Sequence, residues 1–228
     1  MTRASVISLA LLCAAFACGN GRASSESAAG AKPAPRPPAS AVTSTATDSV
    51  TDIADRNRVM GKASATVWMI EVSDFQCPFC RTWHDSTYPS LKKEYIETGK
   101  VRLAYLNFPL NMHANAIPAA QAAMCAALQG KFWEAHDRIF QAQDRWKALS
   151  DPRPLLDSLA VAAGADLATQ RGCTQSQRMT ALIRADMVRS EQAGVESTPM
   201  FFIGNHRILG AAPVATFRAV IDSALAGK

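Results

Sequence analysis

The stretch ATVWMIEVSDFQCPFCRTW, residues 65–83, joins an apolar run directly to two cysteines separated only by Pro78 and Phe79. No other stretch constrains the fold as much. Residues 65–72 have the β-branched and apolar content of a buried strand. Pro78 suits the first turn of a helix, where its missing N–H removes no bond, so a helix is predicted from Pro78 to about Tyr95, ended by Gly99. VRLAYLNF, residues 101–108, alternates as a second strand closed by Pro109. Strand, helix and strand in that order imply a right-handed crossover and a parallel pair. Both thiols then sit where a strand ends and a helix begins.

Beyond Pro109 the period changes. Residues 114–193 predict helices, in PAAQAAMCAALQGKFWEAHDRIFQAQ, in PLLDSLAVAAG and from about Gln175 to Gln192, with Phe132, Trp133, Ile139 and Phe140 inward. After Gly194, PMFFIGN and RILG predict a hairpin turned at Gly204 and Asn205. A last helix starts near Pro213 with Phe217, Val220, Ile221 and Leu225 on one side. The result is an α/β chain whose β-α-β and β-β-α halves flank a helical insert at about 114–193. No internal repeat is visible.

The 228 residues accommodate one sizeable domain. Removing residues 1–17, whose only charged side chain is Arg3, lowers the formal charge from +5 to +4. Basic residues are scattered, with no Lys/Arg run and no aromatic platform, which argues against nucleic acid. MTRASVISLALLCAAFAC sets Arg3 before an uncharged apolar run, the layout of a secretory signal at residues 1–17. That run is shorter than the about 20 apolar residues a membrane span needs. Ala15, Phe16, Ala17 and Cys18 resemble the lipobox of bacterial lipoproteins, which implies lipid on Cys18 and a membrane tether. The alternative is plain cleavage after Ala17, releasing a soluble protein. An unmodified N-terminal cysteine is a liability in an oxidising compartment, which favours the lipoprotein. Both routes export the chain. Residues 18–57, rich in Ala, Ser, Pro and Gly, predict a disordered stalk that lets the domain at 58–228 reach away from its membrane.

Six cysteines occur; with Cys13 in the signal and Cys18 as lipid site, four remain. Four allow three pairings, and the spacing favours Cys77 with Cys80, leaving Cys125 with Cys173.

SDFQCPFC after an apolar strand, Thr198 and Pro199 before a second apolar strand, and a helical insert between them resemble the thioredoxin fold, specifically its DsbA-like branch. NFPL at 107–110, GKFWEAHDRIF at 130–140 and GVESTPMFFIG at 194–204 extend the resemblance over about residues 58–228. A lone C-x-x-C is weak evidence; in this context it is strong. The resemblance implies a thiol:disulfide oxidoreductase, with Pro199 as the cis-proline facing the active cysteines and Thr198 able to pair with an extended substrate. It implies that Glu71 is a buried acid exchanging the proton of Cys80, against the alternative of a surface carboxylate. Cys125–Cys173 becomes a structural disulfide worth about 3–4 kcal/mol rather than a second redox pair. It also implies reduced exported proteins as substrates and a quinone-linked membrane partner for recharging.

The residues carry the chemistry independently. At a helix start, unpaired N–H groups and the dipole favour a thiolate, so Cys77 is expected to be acidic and accessible, with Cys80 one turn deeper as the resolving thiol. Stabilising the reduced form makes the disulfide oxidising. Phe79 adds no charge or donor, which predicts a milder oxidant than relatives with histidine there. Cys77, Cys80 and His84 form C-x2-C-x3-H, three of four zinc ligands, but no fourth is in range, so neither metal nor other cofactor is expected and His84 reads as a helix-surface residue. The expected function is transfer of the Cys77–Cys80 disulfide to reduced proteins by an exported monomer. The rivals are a reductase or isomerase of the same fold, and a lipoprotein that binds a metal or client through its thiols without turnover.

Overall fold

The computed structural model describes residues 49–227; the signal sequence, Cys18 and most of the predicted stalk lie outside them. Residues 50–57, assigned to the stalk from composition, are instead helix α1, Val50–Asn57. Ser49 caps it, with Ser49 and Asp52 bonding each other's backbone reciprocally. Ala54 is buried against the helical unit, and Asn57 donates to the Ala127 carbonyl at 2.8 Å. Local capping and a docking surface supply what the sparse apolar content did not advertise.

A five-stranded mixed sheet follows: β1 (Val59–Met60), β2 (Val67–Ser73), β3 (Val101–Asn107), β4 (Met200–Ile203) and β5 (His206–Leu209), in spatial order β1-β3-β2-β4-β5. β2 and β3 are parallel and in register from Val67 opposite Val101 to Ser73 opposite Asn107. The other pairings are antiparallel, and β4 returns to β5 through Gly204 at φ +55°. The two-residue β1 carries no sequence signal. It is admitted to the edge by Gly61, at φ +100°, where a Cβ would stand 2.5 Å from the Val101 carbonyl oxygen.

The predicted helix from Pro78 is broken. α2 (Pro78–Ser86) gives way to a short α3 (Tyr88–Leu91) and a π-turn at Lys92–Ile96, because Pro89 has no N–H for the carbonyl one turn back. The insert holds six helices: α4 (Ala116–Ala127), α5 (Phe132–Gln141), α6 (Gln143–Trp146), α7 (Arg153–Ala162), α8 (Leu167–Gln175) and α9 (Thr180–Gln192). Small alanines let neighbours close around α4 on most sides. Helix α10 (Val214–Leu225) covers the sheet through Phe217 and Ile221, with Val220 half-buried and Leu225 exposed at its end. Two main cores result. One fills the helical unit; the other lies between the sheet, α2, α3 and α10. The site lies where β2 ends between them.

Candidate active site

Cys77 is the N-cap of α2, with extended backbone and Pro78 next. Its carbonyl accepts from Arg81 N–H at 3.2 Å and from Gln143 Nε2 at 3.0 Å, and the same Gln143 amide reaches the Phe75 carbonyl at 2.7 Å. The insert thereby clamps the cysteine loop. From the opposite side the Thr198–Pro199 peptide, which is cis, brings the Thr198 carbonyl oxygen to 3.4 Å from Cys77 Sγ. Both Cys77 and Cys80 are free thiols.

Cys77 is not freely exposed: it retains 3 % of its accessible surface. The predicted open sulfur is overlaid by the Thr198 backbone and backed by α6, neither of which is adjacent to it in sequence. Phe79, 62 % exposed, stands beside it as the prominent apolar side chain.

The Cys77 thiol is lowered to about 6. The largest cause is a hydrogen bond from Cys80, opposed by burial; the Thr198 hydroxyl and the N–H groups of Cys80 and Phe79 then act with it. The helix start expected to dominate is a contributor behind the neighbouring thiol. Burial pushes Cys80 well above the thiol range, and the charge on Cys77 reinforces this. The pair thus holds one outer thiolate and one inner thiol.

Glu71 is fully buried on β2, in register with Tyr105 of β3 and Phe201 of β4. Neither carboxyl oxygen has a hydrogen-bond partner. Burial raises it to about 8, with the Ser73 hydroxyl acting the other way, so it is protonated at neutral pH. Ser73 favours the charged form of Cys80 as well, though its hydroxyl makes no hydrogen bond to either group. The surface-carboxylate alternative is excluded by this burial.

His84 is buried, not a surface residue as α2 alone predicted. Helix α5 covers it: His84 Nε2 pairs with Asp137 Oδ1 at 3.3 Å, His136 Nδ1 pairs with the same oxygen at 2.8 Å, and His84 Nδ1 pairs with Asp85 at 2.8 Å. Burial works against charge on His84, yet Asp137 and Asp85 outweigh it and raise the imidazole. Burial lowers His136 to about 4. His84, His136 and Asp137 bring donor atoms within 4.8 Å of one another. One nitrogen of each imidazole bonds the Asp137 carboxylate, which makes the trio a hydrogen-bonded network; Cys77 and Cys80 have no share in it.

Cys125 and Cys173 form a disulfide between α4 and α8, with Cα atoms 5.8 Å apart and a sequence separation of 48. Asp74 and Gln143 went unrecognised from sequence, though Asp74 stands in the motif itself. A short polar side chain between strand and helix start is a turn signal that could have singled it out.

The family model described as Thioredoxin matches residues 54–223. Among curated proteins the chain is 32% identical over 173 residues to Na(+)/H(+) antiporter NhaA 3 of Salinispora tropica, covering 75% of this chain and 25% of that protein. It is 41% identical over 87 residues to a Bacillus anthracis protein named for disulfide bond formation, protein D, covering 38% and 40%. The chain therefore spans less than half the length of either relative. Among solved structures, alpha-DsbA1 of Wolbachia pipientis superposes with a TM-score of 0.66 at 24% identity, over 75% of this chain and 91% of that one. A family model matching residues 54–223 makes this chain a member of the thioredoxin family, with a fold that matches a DsbA structure.

Proposed function

We propose that the domain is an exported thiol:disulfide oxidoreductase that passes the Cys77–Cys80 disulfide to reduced proteins. One observation carries the reading: the outer sulfur, which favours the thiolate, lies 3.4 Å from the Thr198 carbonyl beside the cis-proline, with its partner thiol shielded behind it. A substrate thiolate attacks Cys77 Sγ, the Cys77–Cys80 bond breaks, and its electron pair goes to Cys80 Sγ, which takes up a proton. A second substrate thiolate then attacks the mixed disulfide and releases Cys77 as thiolate. Glu71, protonated and buried behind Ser73, is the proton source for Cys80. Thr198 and Pro199 hold the extended substrate chain. The name of the Bacillus anthracis relative agrees with this chemistry.

The lowered Cys77 thiol supports the oxidising direction. Stabilising the reduced pair makes its disulfide a stronger oxidant. Export rests on residues 1–17 and anchoring on Cys18, and recharging falls to a membrane oxidant; among the described residues no helix is long and apolar enough to cross a membrane. The test is refolding of a reduced, disulfide-requiring protein: the oxidised chain accelerates disulfide formation and Cys77→Ser does not. Equal rates would remove the proposal, and a Cys77/Cys80 potential near that of thioredoxin would reverse its direction.

A further inference from the structure

Asp74 is buried and unused in the steps above. Its carboxylate Oδ1 accepts from Gln76 N–H at 2.7 Å, and Oδ2 accepts from Leu110 N–H at 2.9 Å and pairs with His113 Nδ1 at 2.6 Å. Its peptide faces both cysteines. The Asp74 carbonyl accepts from Cys77 N–H at 3.0 Å, and the Asp74 N–H donates to Cys80 Sγ at 3.5 Å. The segment that follows β3 is stitched to the same place, with Phe108 N–H on the Ser73 carbonyl at 2.8 Å and Asn115 N–H on Gln76 Oε1 at 2.7 Å.

We propose that Asp74 and His113 are a positioning pair for the resolving sulfur: the imidazole locks the carboxylate, and the locked residue aims its backbone N–H at Cys80 Sγ. A carboxylate serving only to close a turn would be satisfied by Gln76 N–H. The additional bonds from Leu110 and His113, 36 and 39 residues away, hold the peptide from the far side. Wherever charge develops on Cys80, as leaving group or as attacking thiolate, this donor is already oriented and needs no rearrangement. The Ser73 side chain also favours the charged sulfur, whereas Cys77 in the reduced protein disfavours it. The inference rests on the disulfide-exchange reading and assigns that site a further residue pair.

The test is stopped-flow reaction of the reduced chain, carrying Cys13→Ser and Cys18→Ser, with 5,5′-dithiobis(2-nitrobenzoate). Cys77 thiolate attacks the reagent's disulfide, joining one half to Cys77 Sγ and expelling the other as coloured thiolate. Cys80, losing its proton to solvent, then attacks Cys77 Sγ, forms the Cys77–Cys80 bond and expels the second half. The first phase reads Cys77 and the second reads Cys80. Nucleophilicity falls with thiolate basicity at a slope of about 0.4–0.5, so a tenfold loss of thiolate population slows net attack about threefold. His113→Ala is expected to slow the second phase about threefold or more, with the first phase within about twofold of wild type, and His113→Asn, which retains a donor, to restore it. Asp74→Asn, read the same way, decides the matter should His113→Ala not fold. A wild-type second phase in a folded variant lacking the pair overturns the inference. Absence of the second phase in the unsubstituted site overturns the exchange reading itself.

Discussion

Cys77 Sγ lies 3.4 Å from the Thr198 carbonyl oxygen, across 121 residues of chain. The parallel pairing of β2 with β3 and the antiparallel pairing of β2 with β4 bring the ends of these segments to one edge of the sheet. Under the proposed function, a substrate strand lying along Thr198 would meet the sulfur it is to bond.

The pH dependence of Cys77 has a definite sign. With its thiol lowered from 9.0 to about 6, alkylation by iodoacetamide should rise with a midpoint near pH 6. Because the folded value is below the unfolded one, the reduced protein gains stability as pH rises from about 6 to about 9, and loses that part as pH falls through 6. Urea unfolding of reduced wild type against Cys77→Ser across that range measures it; parallel curves would remove the acidic thiolate. Thr198→Val should move the alkylation midpoint upward, since the hydroxyl favours the charged form.

Glu71 behaves oppositely. Its carboxyl is raised from 4.5 to about 8, so between those values the folded protein holds a proton the unfolded chain has lost, and stability falls as pH rises. Glu71→Gln removes that dependence. Relative to wild type it should gain about 3–4 kcal/mol between pH 4.5 and 7.5, read as the change in urea-unfolding difference. The same variant should slow proton delivery to Cys80 and hence disulfide transfer. A pH-independent difference would mean Glu71 is ionised in the fold.

A second buried charge ties β3 to the insert. Arg58 pairs with both oxygens of Asp186, which also accepts from Asn107 N–H at 3.2 Å and Asn107 Nδ2 at 3.0 Å. Asp186→Ala leaves the buried guanidinium with Asp55 as its remaining carboxylate partner and should destabilise by about 3 kcal/mol in chemical denaturation. Arg58→Met in the same chain should recover much of that loss; no recovery would show that the Asn107 bonds, not the ion pair, carry the energy.

Replacing Cys125 and Cys173 together by alanine should lower stability by about 3–4 kcal/mol by the chain-entropy estimate for a loop of this size. The pair links α4 to α8 inside the helical core, and neither sulfur bonds Cys77 or Cys80. The two-phase thiol reaction should keep its rates. A changed Cys77/Cys80 potential in this variant would make the second disulfide a redox partner instead of a staple.

Strand, turn and helix around CPFC are legible in sequence because local periodicity and Pro78 act within a few residues of each other. So are the hairpin at Gly204 and the helical insert. Helix α1 and strand β1 are not. One depends on a cap and a docking surface, and the other on an edge left open beside β3. His84 shows the same limit, since α2 alone cannot reveal that α5 covers it.

By itself the sequence determined which residues the proposed chemistry rests on: two thiols at a strand–helix junction, a second cysteine pair far along the chain, and an acid in the strand before the site. Only the tertiary structure decided their states. The nearness of Thr198 to Cys77, the shielding of Cys80, the proton held on Glu71 and the lock of His113 on Asp74 all depend on groups far apart in the chain. Hydrogen-bond geometry and desolvation act through space, and both change steeply over distances that no spacing along the sequence records.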